Sequence, residues 1–158
     1  MDSVSAMEIR LSIDIAATPE QVYAVSMDIP RWPDIVSAIT STEILSDGPI
    51  SEGTVFRETR IMFGREASED MTIAKLEPPY RYLFTAENHG TSYVTDHIIE
   101  GLPDGTTRLS VIFSGKAQTV IAHLLMPLGL LLSGSLKKQL MGDLEDIKLA
   151  IENTSSAQ

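Results

Sequence analysis

Glu58 and Arg60 are the first candidates for chemistry, because they are two residues apart in a segment typical of a strand. Residues two apart in a β-strand share a face, so both side chains are expected beside Phe56 and Met62. An interior pair of this kind could orient a ligand carbonyl or hydroxyl. The alternative is a solvated ion pair of little energetic worth, which is the more common arrangement.

Whether Asp96 is a functional candidate depends on the register of the last predicted hairpin. Asp104-Gly105 between two strand-like runs is a strong hairpin signal. A turn centred there pairs Asp96 with Phe113 and Ile98 with Val111, so that all four side chains face inward. A carboxyl buried in this way has a raised pKa and becomes a functional candidate. A shift of one residue would instead turn inward Tyr93, Thr95, His97 and Ile99.

Other residues are candidates for the wall or mouth of a cavity. His123 lies in an apolar segment, where a histidine is more often core than an acid or base, although its charge could switch near neutral pH. Met126 suits an irregular apolar surface. The remaining wall candidates, which as residue types are more often plain core, are Trp32, Phe56, Tyr82, Phe84, Ile98, Val111 and Phe113.

Several kinds of catalytic and cofactor site are excluded by the sequence. The chain has no cysteine, which rules out thiolate nucleophiles, disulfides and cysteine-bound metals. The three histidines are scattered, and no metalloprotease motif or nucleophile elbow is present. Residues 129–135 have the glycine spacing of a phosphate loop but lack its lysine. We therefore expect neither a cofactor nor a metal, and no catalytic residue is assigned.

Charge and hydropathy restrict the partners. With 22 acidic and 12 basic residues the net charge is -10, which disfavours nucleic acid. The N-terminus lacks the pattern of a signal peptide, and the apolar segment 120–132 is shorter than the ~20 residues that a spanning helix needs. We expect a cytoplasmic protein without stable membrane insertion, present as a monomer or weak homodimer.

The elements that must position these residues begin with a strand. Residues 8–15 alternate strictly between polar and apolar types, which predicts a strand with one buried face. Thr18, Pro19 and Gln21 then match a capping box with proline in the first helical turn. Pro30 ends this helix, and a second short helix is predicted over residues 32–38.

The middle of the chain predicts strands and the end predicts a helix. Six further strands are expected at 41–45, 54–63, 67–76, 80–86, 92–102 and 106–116. A stripe of Leu136, Leu140, Leu144, Ile147 and Ile151 then marks one face of a long helix. The charged residues expected on its other faces are Lys137, Lys138, Asp143, Glu145, Asp146 and Lys148.

This order of elements predicts an α+β fold in which a curved seven-stranded antiparallel sheet surrounds the C-terminal helix. One domain is expected over residues 7–152, with flexible tails at 1–6 and 153–158. A sheet curled around a helix leaves volume at one end, which is a natural site for a small molecule.

Four segments resemble a known superfamily. They are residues 15–23 followed by Trp32, then residues 52–56, 76–81 and 104–109. In this order and spacing the chain resembles the helix-grip superfamily of START domains and birch-pollen-allergen-like proteins. It is most similar to the polyketide cyclase/dehydrase and lipid-transport-like branch. The resemblance implies a helix-grip fold and a cavity for lipids, polyketides or similar apolar molecules.

Three functions follow from this reading, since the same fold hosts binders, enzymes and accessory domains. The first is binding or transport of a small apolar ligand between the sheet and the C-terminal helix. The second is a cyclase/dehydratase-type enzyme, in which Asp96, His123 or the Glu58/Arg60 pair moves a proton on a bound carbonyl compound. The third is a protein-interaction domain. We place binding first and leave the presence of catalysis open.

Overall fold

The computed structural model describes residues 6–122 and 133–156. Its strands are β1 Ala6–Ile15, β2 Ile39–Ile44, β3 Val55–Met62, β4 Arg65–Glu77, β5 Arg81–Asn88, β6 Thr91–Gly101 and β7 Thr107–Ala117. Its helices are α1 Pro19–Ser26, a 3₁₀ helix Ile29–Arg31, α2 Trp32–Ile35 and α3 Ser133–Ser156. The predicted α+β fold is confirmed.

The strands form one antiparallel sheet in the order β1-β7-β6-β5-β4-β3-β2. Every strand from β2 to β7 therefore pairs with its neighbour in sequence, whereas β1 lies beside the last strand. Helix α3 packs on the inner face of the sheet, chiefly along β1, and also touches α1 and α2. This is the helix-grip arrangement that the sequence predicts.

The predicted capping box begins α1. The amide of Gln21 donates to Thr18 Oγ1 at 3.2 Å, and the Thr18 amide donates to Gln21 Oε1 at 2.9 Å. The next helix, α2, is shorter than predicted because Val36 already has extended backbone angles. Trp32 fixes this corner, since its Nε1 donates to the Ser26 carbonyl at 3.0 Å.

The register of the last hairpin differs from the prediction by one residue. Asp96 lies opposite Ile112, not Phe113, and the inward residues of β6 are Tyr93, Thr95, His97 and Ile99. The loop contains three residues, 103–105, because the Leu102 amide donates to the Thr106 carbonyl at 2.8 Å. Proline fixes φ near −65°, so Pro103 suits the first corner of this loop. Because proline has no N–H, Pro103 cannot donate the ladder hydrogen bond that would flank a two-residue turn.

Two apolar clusters fill the interior at opposite ends of the sheet. The larger contains Ile15, Ala17, Val22, Ile29, Trp32, Val36, Ile39, Phe56, Ile73, Tyr82, Phe84, Ile99, Leu109, Val111, Leu144 and Ile151. The smaller contains Met7, Ala117 and Ala122, with Phe113 and Leu136 packed against it. Helix α3 contributes to both, because Leu136 lies near its described start whereas Leu144 and Ile151 lie further along the helix.

The last turn of α3 extends past the predicted domain end at residue 152. The helix continues to Ser156, and Thr154 Oγ1 donates to the Ala150 carbonyl at 2.8 Å. This hydrogen bond returns the polar side chain to the preceding turn. The polar composition of residues 153–156 therefore does not prevent them from being helical.

Candidate functional site

Four charged residues meet between the sheet and α3: Glu58, Arg60, Glu69 and Asp143, here called the interior polar cluster. Arg60 Nε donates to Glu58 Oε1, and Arg60 Nη2 donates to Asp143 Oδ2 at 2.9 Å. The side chains of Arg60, Glu58 and Asp143 are only 11%, 12% and 16% exposed. The alternative of a solvated Glu58/Arg60 pair is therefore wrong, and the pair lies in the interior.

The β3–β4 hairpin places Glu69 in this cluster. Phe63 and Gly64 form its two-residue turn with φ of 53° and 76°, which is the left-handed pair that tight hairpin turns require. Met62 then pairs with Arg65, and Glu58 falls directly opposite Glu69. Glu69 is not among the residues predicted from the sequence, because strand-like residues continue through Phe63 and hide the turn.

Asp143 was expected on a solvent face of the helix, and this expectation is wrong. It is three residues after Leu140 and four before Ile147, so it borders the apolar stripe that faces the sheet. Its carboxylate accepts from Arg60 across the interior. The spacing within the stripe is the signal that could have identified it.

Three carboxyl groups surround one guanidinium in the cluster. Burial and this imbalance of charge shift the pKa values of Asp143, Glu69 and Arg60. Burial raises the pKa of Asp143, although Arg60 opposes the shift. Burial and then the charge of Glu58 raise the pKa of Glu69. Burial lowers the pKa of Arg60, but Glu58 and Asp143 outweigh it and raise that pKa above the ordinary value. The guanidinium therefore stays charged, while the carboxyls are costly to ionise together.

One donor of the cluster, Arg60 Nη1, has no partner among the described residues. Arg60 Nη1 is shut off from solvent and makes no hydrogen bond to any described residue. A buried donor without an acceptor costs roughly 1–3 kcal/mol. The cluster therefore holds a strong donor group that an incoming oxygen atom could satisfy.

His97 is a second buried polar group on the inner face. In the sheet it lies between Tyr82 and Val111, and its ring stacks on Tyr82 with centroids 4.1 Å apart. Its Nδ1 is enclosed and makes no hydrogen bond within residues 6–122 and 133–156. Burial lowers the pKa of His97 to about 4, so the ring is neutral at physiological pH.

Asp96 and Ile98 lie on the outer face of the sheet, away from the interior polar cluster. Arg81 holds the Asp96 carboxylate with two hydrogen bonds of 2.9 and 2.8 Å. Ile98 is 37% exposed. The expectation that these two residues face inward is wrong, because the three-residue loop reverses the faces of β6 relative to a two-residue loop.

The other candidates on described elements lie on the inner side. Trp32, Phe56, Tyr82, Phe84 and Val111 are buried in the larger cluster. The aromatic members pack edge to face or tilted, as in the 5.5 Å contact of Trp32 with Phe56. Because they pack closely, these side chains form a closed part of the interior.

Phe113 is the inner-face candidate that keeps partial exposure. It stacks on Tyr93 with ring centroids 5.5 Å apart. Gly115 leaves room for this stack, because a Cβ there would meet the Tyr93 ring at 3.0 Å. Phe113 and Tyr93 thus line the side of the interior nearest the smaller cluster.

Two candidates, His123 and Met126, lie outside the described residues. Within the part that is described, His, Asp and Glu side chains form no group able to hold a metal ion. None of the described helices is long and apolar enough to cross a membrane.

Comparison with known families gives one match over most of the chain. Residues 6–148 match the family described as polyketide cyclase/dehydrase and lipid transport. No curated protein matches the sequence significantly.

Solved structures share the fold at low sequence identity. A protein from Thermus thermophilus has a TM-score of 0.74 at 18% identity, covering 94% of this chain and 99% of its own. The Zhui aromatase/cyclase from Streptomyces sp. R1128 has a TM-score of 0.74 at 16% identity, covering 93% and 94%. A START superfamily protein from Mycobacterium smegmatis has a TM-score of 0.67 at 14% identity, covering 93% and 95%.

Proposed function

The chain belongs to the polyketide cyclase/dehydrase and lipid transport family, and we propose that it binds a small apolar molecule between its sheet and α3. The ligand lies with its apolar body on the inner face of β5 to β7. Its polar end is oriented by the interior polar cluster. Such a division between apolar walls and a few fixed polar groups is typical of small-molecule sites.

The observation that carries this proposal is the uneven burial of the inner face. Tyr93, Thr95 and Phe113 lie on the inner face of the sheet but keep partial exposure, whereas same-face residues in the larger cluster are closed from solvent. These three residues lie on neighbouring same-face positions of β6 and β7. Apolar area given up to a ligand there contributes about 25 cal/mol per Å² before the costs of association.

Native mass spectrometry of the purified chain tests the proposal first, because a tightly held molecule adds mass to the folded protein. A hydrophobic fluorescent dye then provides a titration. We expect the dye to bind the folded chain and lipid-like or polyketide-like compounds to displace it. Phe113→Trp narrows the interior and weakens binding, whereas Leu149→Trp, at a site 59% exposed, is the matched surface control.

Equal dye affinity for Phe113→Trp, Leu149→Trp and the unchanged chain would argue against an interior site. Dye binding without any displacement by lipid-like compounds would leave only non-specific adsorption. Both variants must first show unchanged thermal unfolding, so that a loss of binding is not a loss of fold.

A second candidate function is cyclase/dehydratase-type catalysis, favoured by one observation. The interior carries both a neutral histidine, His97 on β6, and carboxyl groups of raised pKa, Glu69 on β4 and Asp143 on α3. A neutral imidazole can accept a proton, and a carboxyl whose pKa is raised keeps its proton to a higher pH and can donate it, as ring closure with loss of water from a carbonyl compound requires. We expect His97→Phe to abolish the loss of water from a poly-keto thioester and to retain dye binding. Mass spectrometry of the thioester measures the loss of water. Unchanged turnover would contradict this role.

A further inference from the structure

We propose that the interior polar cluster selects uncharged ligands, accepting a carbonyl or hydroxyl oxygen at Arg60 Nη1 and rejecting a carboxylate there. This selectivity rests on the proposed binding function and adds the chemical class of the ligand's polar end. It depends on two features of the cluster: one donor that no described residue pairs, and an excess of carboxyl groups.

The donor is defined by the partners that Arg60 already has. Glu58 accepts a hydrogen bond from Nε and Asp143 accepts one from Nη2. Nη1 is then the part of the guanidinium without an acceptor among the described residues. An oxygen lone pair is the group that completes it. A purely hydrocarbon ligand would leave the donor unsatisfied, so the bound molecule carries an acceptor oxygen.

The carboxyl groups around Arg60 determine whether the acceptor oxygen of the ligand can carry a negative charge. Glu58 and Glu69 face each other across the β3–β4 ladder, and Asp143 approaches from α3. Directly opposed residues of an antiparallel pair have Cβ atoms about 5 Å apart. A ligand carboxylate would add a fourth negative group to a partly desolvated site that holds one positive charge, and like charges this close repel strongly.

An ammonium ligand does not fit the same position. Its N–H groups are donors and cannot accept from Arg60 Nη1. A neutral ketone, ester or alcohol satisfies the donor without changing the charge of the cluster. The uncharged acceptor is therefore the ligand class that both features favour.

Chain-matched compounds test this selectivity at pH 8 by displacement of a bound hydrophobic dye. The series is 1-decanol, methyl decanoate, decanoate and decylamine. Because these compounds also differ in solubility in water, the measured quantity is the ratio of decanoate to decanol affinity in variant and unchanged chains. We expect Glu69→Gln to raise this ratio about tenfold because it removes one opposing charge, and this change corresponds to roughly 1.4 kcal/mol.

Asp70→Asn is the matched control, because Asp70 is the next residue on β4 but pairs with Arg57 on the outer face. It should leave the ratio unchanged. Asp143→Asn gives a second interior variant and should move the ratio in the same direction as Glu69→Gln. Thermal unfolding establishes that each variant is folded before affinities are compared.

The outcomes separate the two proposals. If none of the four compounds displaces the dye, the proposed binding function fails and the selectivity fails with it. If they bind but Glu69→Gln and Asp143→Asn leave the ratio as in Asp70→Asn, the selectivity alone is overturned. Displacement by decylamine at lower concentration than decanol also overturns it, since the site would then prefer cations.

Discussion

Arg60 on β3 donates to Asp143 on α3 at 2.9 Å across a sequence separation of 83 residues. This contact joins the far side of the sheet to the helix that packs along β1. Both side chains are largely buried, so the pair has lost most of its hydration. Removing one partner of such a pair is strongly destabilising, because it leaves a buried charge without compensation.

Replacing Arg60 by Met should therefore destabilise the chain by about 3–5 kcal/mol, since it leaves Glu58 and Asp143 uncompensated. Chemical denaturation measures the change in the free energy of unfolding. Arg57→Met is the control on the same strand: Arg57 pairs with Asp70 in solvent, where loss of an ion pair costs about 1 kcal/mol or less. Equal costs at both sites would contradict the interior placement of Arg60.

His97 should make the fold sensitive to acid. Its pKa is lowered from 6.5 to about 4 in the folded chain, so its contribution is complete above pH 6.5 and is lost as the pH falls towards 4. A shift of this size corresponds to at most about 3 kcal/mol. His97→Phe keeps a ring against Tyr82 without a titrating group, and should flatten stability over this interval.

His89→Asn is the control for that measurement. His89 is exposed in a turn with φ of 51°, a conformation that asparagine tolerates, so its removal should leave the acid profile unchanged. The raised pKa values of Glu69 and Asp143 act in the opposite sense, adding stability as the pH falls. The difference between His97→Phe and the unchanged chain isolates the histidine, and identical profiles would exclude its role.

The apolar side chains of α3 should contribute most to the free energy of unfolding where they are most deeply buried. Leu144 is 3% exposed in the larger cluster, whereas Leu149 on the same helix is 59% exposed. Leu144→Ala should lower the free energy of unfolding by about 2–5 kcal/mol. Leu149→Ala should change it by at most about 0.5 kcal/mol. A small effect at Leu144 would show that the helix does not close the sheet's interior.

Asp96→Asn tests the outward orientation of β6. The Arg81–Asp96 pair lies on the outer face, so its loss should cost about 1 kcal/mol or less and leave dye affinity unchanged. Thr95→Trp, one residue away on the opposite face, should lower dye affinity because its larger side chain fills the proposed binding volume. A fall in affinity with Asp96→Asn would instead mean that the outer face takes part in binding.

The sequence predicts most elements of this fold because their signals are local. Strict alternation identifies β1, and the capping box around Thr18 identifies the start of α1. The apolar stripe identifies α3. Each of these signals spans a few turns or a single strand, so it does not depend on distant residues.

The candidate site was harder to predict because it depends on turn geometry. One additional loop residue at Pro103 exchanges the faces of β6, replacing Asp96 inside by His97. The Phe63-Gly64 turn sets Glu69 opposite Glu58. A non-glycine residue at positive φ gives a weak signal in sequence. Pairing of Asp143 with Arg60 depends on how α3 lies on the sheet, which no local pattern determines.

The position of β1 at the edge of the sheet also bears on the order of folding. Ala6 pairs with Lys116 and Ile15 with Thr107, so β1 has its ladder partner only when β7 has emerged from the ribosome. The hairpins from β2 to β7 pair neighbours and can form earlier. Closing so long a loop costs entropy before its contacts form, which slows folding. Nascent chains therefore expose β1 without its ladder partner until β7 has been made, and this interval is when they are most open to aggregation or chaperone binding.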